Sequence, residues 1–258
     1  MVEFNWALAL DKLRCYIFKI LTPNGSGTGF LISLSGNVCG VATALHVIEH
    51  ASEWEEPIKL QYHKTNKQIL LKNQDRVIYP YPDSDLAFIL FSQGEFDLPA
   101  KMLKMKPSGR YVREGIQLGW CGFPCIAPSN LCFFTGHVSA YLEKEGSYLV
   151  DGVAINGVSG GPAFLLQPRD LDLHLCGVVS AYIANRATGE TLPGVCLIRD
   201  VAPYQVLLAK LGSLDEAEKA KEEVGKAPSP EPHEPIEKSN DKKKEVDDAA
   251  NKANSEKS

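Results

Sequence analysis

Between residues 13 and 212 the apolar positions fall in short runs rich in β-branched and aromatic side chains. Cys15 to Leu21, Gly29 to Leu34, Val38 to Ala42, Ile58 to Tyr62 and Leu86 to Phe91 form a first series. Ile116 to Trp120, Leu131 to Ser139, Tyr148 to Val150, Ala163 to Leu166, Leu175 to Ala181 and Val195 to Ile198 form a second. Gly, Asn, Pro and Asp cluster between the runs, as hairpin connections require. Side chains branched at Cβ suit a pleated, half-buried surface, so these runs predict strands. Val201 to Leu211 differs: Val206, Leu207 and Leu211 share one helical face and predict a closing amphipathic helix. No helical pattern alternates with the strands, which argues against an α/β sheet. The expectation is an all-β protein of two six-stranded antiparallel β-barrels, about residues 13–95 and 108–200, followed by a helix over 201–211.

Composition changes the picture at the C-terminal end. Residues 213–258 hold no aromatic side chain, and Pro228, Pro230 and Pro232 lie close together. Nine lysines face thirteen aspartates and glutamates there, so the segment carries -4 of the chain's net -5. Asp215 to Val224 has the composition to extend a helix. Beyond it too little apolar surface is present to offset ordering entropy, and 213–258 reads as a disordered charged tail after a domain of residues 1–212.

Over all 258 residues the hydrophobic and charged fractions, 44% and 23%, are those of a soluble globular protein. The mild acidity supplies no basic footprint for nucleic acid and no polybasic patch for a membrane. The apolar run Trp6 to Leu10 follows Glu3 and is closed by Asp11 and Lys12, unlike the core of a secretory signal. Seven cysteines (15, 39, 121, 125, 132, 176 and 196) are an odd number and sit in apolar runs, as reduced buried thiols do. Together these predict a cytoplasmic protein. Cys121 and Cys125 have no second pair of zinc-ligand spacing.

Three segments carry candidate chemistry. They are Ala42-Thr43-Ala44-Leu45-His46-Val47, then Asp83-Ser84-Asp85-Leu86-Ala87, then Asn156-Gly157-Val158-Ser159-Gly160-Gly161-Pro162. In that order they supply a base, an acid to orient it, and a hydroxyl in a glycine-rich turn. Acyl transfer to serine needs those three groups and converging amide N–H groups for the oxyanion. Two other patterns overlap them. His46-Val47-Ile48-Glu49-His50 fits the H-x-x-E-H helix of zinc peptidases, though a third ligand is not identifiable. Gly157 to Gly161 fits the G-x-S-x-G elbow, but that fold places its acid and histidine after the serine, and here both lie upstream.

As an ordered set the three segments resemble the His, Asp and Ser motifs of chymotrypsin-like (trypsin-fold) serine peptidases, closest to the bacterial heat-shock-protease branch. Gly25-Ser26-Gly27-Thr28-Gly29-Phe30 resembles the hairpin entering the His strand of that branch, and Phe134 to Ser139 one of its second-barrel strands. Gly177 to Ser180 resembles the strand on which the family docks substrate, and Pro193-Gly194-Val195 its partner. The likeness runs over about residues 13–212. It implies His46 as general base, Asp85 as its orienting acid and Ser159 as nucleophile. Asp83 is the competing acid, and the position before Leu86-Ala87 favours Asp85. The resemblance further implies an oxyanion hole at the Gly157 and Ser159 amides, with Ser180 beside Asp85.

Departures from the family bear on regulation and specificity. Val158 stands where digestive members carry the Asp that captures a new N-terminus, and Val47 follows His46 where they have Cys. Unlike in the heat-shock-protease branch, a peptide-binding domain after the second barrel is not expected. By resemblance Val153, Ala154, Tyr182 and Gly194 would line the specificity pocket. No carboxylate falls there, so an apolar or small residue before the cleaved bond is expected, with Arg186 near enough in sequence to change that. The expected activity is a serine endopeptidase acting on polypeptides without a cofactor. A catalytically silent peptide-binding or scaffold protein of the same fold, and a zinc peptidase, are the alternatives. Oligomeric state is not legible in the sequence.

Overall fold

The computed structural model of the chain describes residues 5–166, 172–184 and 191–225. It divides into a unit of residues 1–214 and a second from Asp215 onward. The first carries two β-sheets. One comprises β1 (Ile17–Thr22), β2 (Gly25–Ser35), β3 (Val38–Ala44), β4 (Ile58–Tyr62), β5 (Gln68–Leu71), β6 (Arg76–Tyr81) and β7 (Leu86–Ser92). Its order is β5-β4-β1-β2-β3-β7-β6, antiparallel throughout. The other comprises β8 (Lys104–Met105), β9 (Gln117–Gly122), β10 (Cys132–Leu142), β11 (Ser147–Asp151), β12 (Pro162–Leu166), β13 (Leu173–Ala184) and β14 (Thr191–Asp200). It runs β12-β9-β10-β11-β14-β13 and closes as a six-stranded barrel where β12 pairs with β13.

The two-sheet, all-β architecture is the one expected, with differences at its edges. The first sheet has seven strands, and its ends β5 and β6 are not paired with each other among the described strands. In the second sheet β8 adds to β13 in parallel, an exception to the antiparallel rule. Tyr79-Pro80-Tyr81-Pro82, which reads as an extended loop over the site, lies mostly on β6, where Pro80 faces Ala87 of β7. An edge strand tolerates proline because its outward N–H needs no ladder partner.

Three helices accompany the sheets. α1 (Trp6–Leu13) begins at Asn5, whose side chain caps the Leu8 amide at 3.1 Å, and it buries Ala9 and Leu13. Trp6 packs its ring 5.5 Å from Phe133 and 5.9 Å from Phe164. The apolar run Trp6 to Leu10 is thus part of a helix docked on the second barrel. α2 (Leu45–Glu53) springs directly from the end of β3 and buries Leu45, Ile48 and Ala51. α3 (Ala202–Gly225) is longer than the expected 201–211 and enters the second unit, so residues 213–225 are helical rather than part of a structureless tail. The rest of that tail, residues 226–258, lies outside the described residues.

Strand alternation fills the main apolar clusters. Phe18, Ile20, Val41, Leu60, Tyr62 and Ile89 pack inside the first sheet, and Leu118, Trp120, Tyr148, Val150, Cys176 and Ile198 inside the second. Between them lies a seam of Phe30, Ala42, Leu86, Phe88, Cys121, Val178 and Tyr204. Near the open side of the first sheet, the buried Arg76 guanidinium donates to Leu71 O at 2.8 Å, Ala51 O at 2.9 Å and Glu56 O at 2.8 Å. It ties the start of β6 to the end of β5 and to α2. Its partners are carbonyls, and burial moves its pKa below the usual arginine value against the charge of Asp75.

Candidate active site

Antiparallel pairing of β3 with β7 sets Thr43 opposite Ala87 and Ala44 opposite Leu86. The residues just past that end of the ladder, His46 and Asp85, therefore emerge side by side. Asp85 adopts a left-handed conformation with φ 48°, closing the turn Pro82–Ser84. Few non-glycine residues do so, and aspartate is among the best tolerated. Its main-chain carbonyl accepts the Leu45 amide at 3.1 Å, and its Oδ1 accepts the His46 amide at 3.0 Å.

The side chains then meet. His46 Nδ1 lies 2.9 Å from Asp85 Oδ2 and 3.1 Å from Oδ1, and the Ser180 hydroxyl donates to Oδ2. Burial pushes the Asp85 carboxyl up, but the hydrogen bonds from His46 and Ser180 and the charge of His46 outweigh it. The net result is a pKa below the ordinary 3.8. An ionised carboxylate only accepts hydrogen bonds, so Nδ1 carries a proton, and the ring's only site for a lone pair is Nε2. Asp83 lies in the middle of the preceding turn and makes no hydrogen bond or ion pair with His46 among the described residues.

Ser159 sits in the loop between β11 and β12. Its hydroxyl donates to Ser180 O at 3.1 Å. The loop's carbonyls are engaged one after another. Ile155 O accepts Val158 N (2.9 Å), Asn156 O accepts Cys125 N (2.7 Å) and Val158 O accepts Gly161 N (2.9 Å). Gly157 O accepts Thr28 Oγ1 at 2.8 Å, and Ser159 O accepts Thr28 N at 2.8 Å. The Gly160 amide goes to Val179 O at 2.7 Å. From Gly157 to Gly161, the Gly157 and Ser159 amides are the two with no acceptor among the described residues. Gly157 needs its lack of Cβ: at φ 93° an added Cβ would stand 2.3 Å from Phe123 O.

A cleft of about 330 Å³ opens beside these groups, lined by His46, Ser159, Gly157, Asn156, Asn24, Ser26, Cys125 and His50, among others. Cys125 and His50 in that wall were not legible as site residues. His50 lies one turn along α2 from His46, and its Nδ1 is held by Glu56 at 3.0 Å while its ring stacks on Trp54. The H-x-x-E-H pattern is thus helical, but each histidine gives Nδ1 to its own carboxylate. Among the described residues no three His, Cys, Asp or Glu side chains converge as metal ligands. The seven cysteines are free thiols, and burial pushes those of Cys39, Cys121 and Cys196 up to about 12.

The residues expected to line a specificity pocket gather at one end of the second barrel. Gly152 N donates to Gly194 O at 2.9 Å, which brings Val153 and Ala154 beside Gly194. Trp120 Nε1 donates to Val153 O at 3.2 Å. Tyr182 lies on β13 with its backbone opposite Cys196. The Tyr182 side chain and all of Arg186 lie outside the described residues.

A two-sheet β-fold, one sheet closed as a barrel, with His46 and Ser159 lining one cleft and Asp85 on His46, defines the class. The chain belongs to the trypsin-like peptidase domain family, which it matches over residues 27–169. The family is one of peptidases, and its substrates are polypeptides. None of the curated proteins matches the chain in sequence. Among solved structures, a serine endoprotease from Yersinia pestis superposes with a TM-score of 0.60 at 17% identity, covering 82% of this chain and 68% of that one. Deg5 gives 0.56 at 18% identity, covering 77% and 89%. The inactive form of Rv3671c from M. tuberculosis H37Rv, as a serine-to-alanine mutant, gives 0.55 at 18%, covering 82% and 92%. At these identities the likeness is one of fold, and the fold is the one the His46, Asp85 and Ser159 segments pointed to.

Proposed function

We propose that the chain is a serine endopeptidase that cleaves polypeptides through an acyl-enzyme on Ser159. The observation that carries this reading is the double contact of Asp85 with His46 Nδ1, beside a serine whose own amide and that of Gly157 have no acceptor among the described residues. In this reading the Ser159 hydroxyl turns from Ser180 O to His46 Nε2, which takes its proton as Oγ attacks the scissile carbonyl. The oxygen that gains charge is received by the Gly157 and Ser159 amides. Asp85 stabilises the imidazolium, which then protonates the leaving amine, and water repeats the sequence to free the acid. Contacts of this kind are often long before substrate binds, so the resting bond to Ser180 is compatible with turnover. Val153, Ala154 and Gly194 support a small or apolar residue before the cleaved bond. The free thiols suit a reducing compartment, and a cytoplasmic location belongs to the proposal.

A second reading rests on that same resting bond: with its hydroxyl on Ser180 O, Ser159 would be idle in a peptide-binding protein. Fluorophosphonate labelling of wild type and Ser159→Ala, with and without chelator, separates the readings. Labelling of wild type alone, insensitive to chelator, is expected. Absence of wild-type labelling favours the binding protein. Casein cleavage that chelator abolishes, without labelling, turns attention to His46 and His50 as metal ligands.

A further inference from the structure

We infer that Thr28 is a positioning residue of the oxyanion site, holding from the other sheet the loop that presents its two amides. This rests on the serine-peptidase reading above.

Thr28 lies on β2 of the first sheet and is fully buried, yet three of its hydrogen bonds reach residues after Gly122. Its Oγ1 donates to Gly157 O at 2.8 Å and accepts the Phe123 amide at 3.0 Å. The direction is forced: Phe123 N–H must donate, so the single hydroxyl proton goes to Gly157 O. The Thr28 amide meanwhile donates to Ser159 O at 2.8 Å. A further bond, from Thr43 Oγ1 to Thr28 O at 2.8 Å, anchors Thr28 to β3, the strand that leads into the helix of His46.

The position of these bonds in the loop decides their role. The two unengaged amides belong to the 156–157 and 158–159 peptides, and the 157–158 peptide lies between them. That middle peptide is held at one end by Val158 N on Ile155 O and at the other by Thr28 Oγ1. Glycine at 157 makes its rotation sterically cheap, so the Thr28 hydroxyl is what keeps the flanking donors pointing together. The space for this contact is specific to glycine as well, since a Cβ on Gly122 would stand 2.6 Å from Thr28 Oγ1.

Thr28→Val keeps shape and removes the donor. Fluorophosphonate inactivation, analysed for its limiting rate and its half-saturating concentration, reads the oxyanion site apart from probe binding. Thr28→Val is expected to lower the limiting rate about 10- to 100-fold, less than loss of a direct oxyanion donor, with half-saturation within about twofold. Thr28→Ser is expected to restore most of the rate. A Val variant that folds and reacts like wild type overturns the inference while the peptidase reading stands. A loss confined to half-saturation, or a Ser variant as slow as Val, overturns it too. If Val does not fold, Thr28→Ala takes its place with the same expected values. Wild type that does not react at all ends both this inference and the reading beneath it.

Discussion

Ser180 holds Asp85 in place: its hydroxyl donates to Asp85 Oδ2, while its main-chain carbonyl receives the Ser159 hydroxyl at 3.1 Å. One residue of β13 thus touches both ends of the proposed triad. Ser180 itself is almost fully buried, while both bonds run to partly exposed partners.

Ser180→Ala should therefore act on catalysis through Asp85. The carboxylate loses one of the two side-chain donors that offset its burial, and its hold on the His46 ring weakens. A hydrogen bond to a charged group contributes about 1.5–3 kcal/mol, part of which His46 retains, so kcat/KM should fall about 3- to 30-fold with KM little changed. Steady-state cleavage of casein-derived peptides at constant pH checks this. Unchanged kcat/KM would mean that His46 alone orients the acid.

Asp85 also links stability to pH. Its folded pKa is depressed below 3.8, so its contribution is fully present above the unfolded value and is lost as pH falls through the folded value. Asp85→Asn has no such proton to bind. Thermal melts from pH 6 down to pH 2 should show wild type losing more stability on acidification than Asp85→Asn. At pH 8 the same variant should lose about four orders of magnitude in kcat, since an amide no longer dictates the ring's tautomer. Parallel melting curves for the two proteins would contradict the assigned direction.

Much of this was legible in advance because strand runs and the three active-site segments are local patterns. Ile58 to Tyr62 alternates inward and outward along its length, and a reader of the sequence sees the same alternation. What escaped depends on neighbours distant in the chain. β6 carries Pro80, which argues against a strand until its place at the sheet edge is known. α2 starts at Ala44 without a side-chain cap, so no start signal announced it. Thr28 was visible only as a member of a glycine-rich hairpin. Its partners Phe123, Gly157 and Ser159 lie far downstream, and the one clue was a threonine in an apolar strand, which must find partners once buried.

Gly157 and Gly194 provide a matched pair for testing the loop. Both have positive φ, 93° and 82°, but a Cβ at Gly157 would strike Phe123 O at 2.3 Å whereas one at Gly194 meets nothing within 4 Å among the described residues. Gly194→Ala should incur only left-handed strain of about 1–2 kcal/mol. Gly157→Ala must displace main chain at the oxyanion site, and its fluorophosphonate labelling rate should fall by about two orders of magnitude or more. Melting temperatures and labelling rates of the two variants give the comparison. Equal effects on both readouts would show that the loop yields more freely than its hydrogen bonds imply.

Beyond the site, the buried charges of the second barrel make a prediction of their own. Lys106 Nζ lies 3.1 Å from Asp200 Oδ1 with the two side chains 5% and 4% exposed. Asp200 further accepts the Tyr148 hydroxyl at 2.6 Å and the Ala202 amide at 2.8 Å, so it joins the barrel to the start of α3. Lys106 in turn donates to Arg110 O at 2.6 Å. Removing the cation alone, as in Lys106→Met, strands a carboxylate away from water and should destabilise the protein by about 3–5 kcal/mol in urea unfolding. Adding Asp200→Asn removes the stranded charge; its one amide oxygen keeps the bond from the Ala202 amide, while its NH2 takes the place of Oδ2 and donates to the Tyr148 hydroxyl. The double variant should therefore be more stable than Lys106→Met, because the ion pair's worth lies mainly in neutralising its own burial. A double variant no more stable than the single would mean that geometry, and not charge, is what Asp200 contributes at the base of α3.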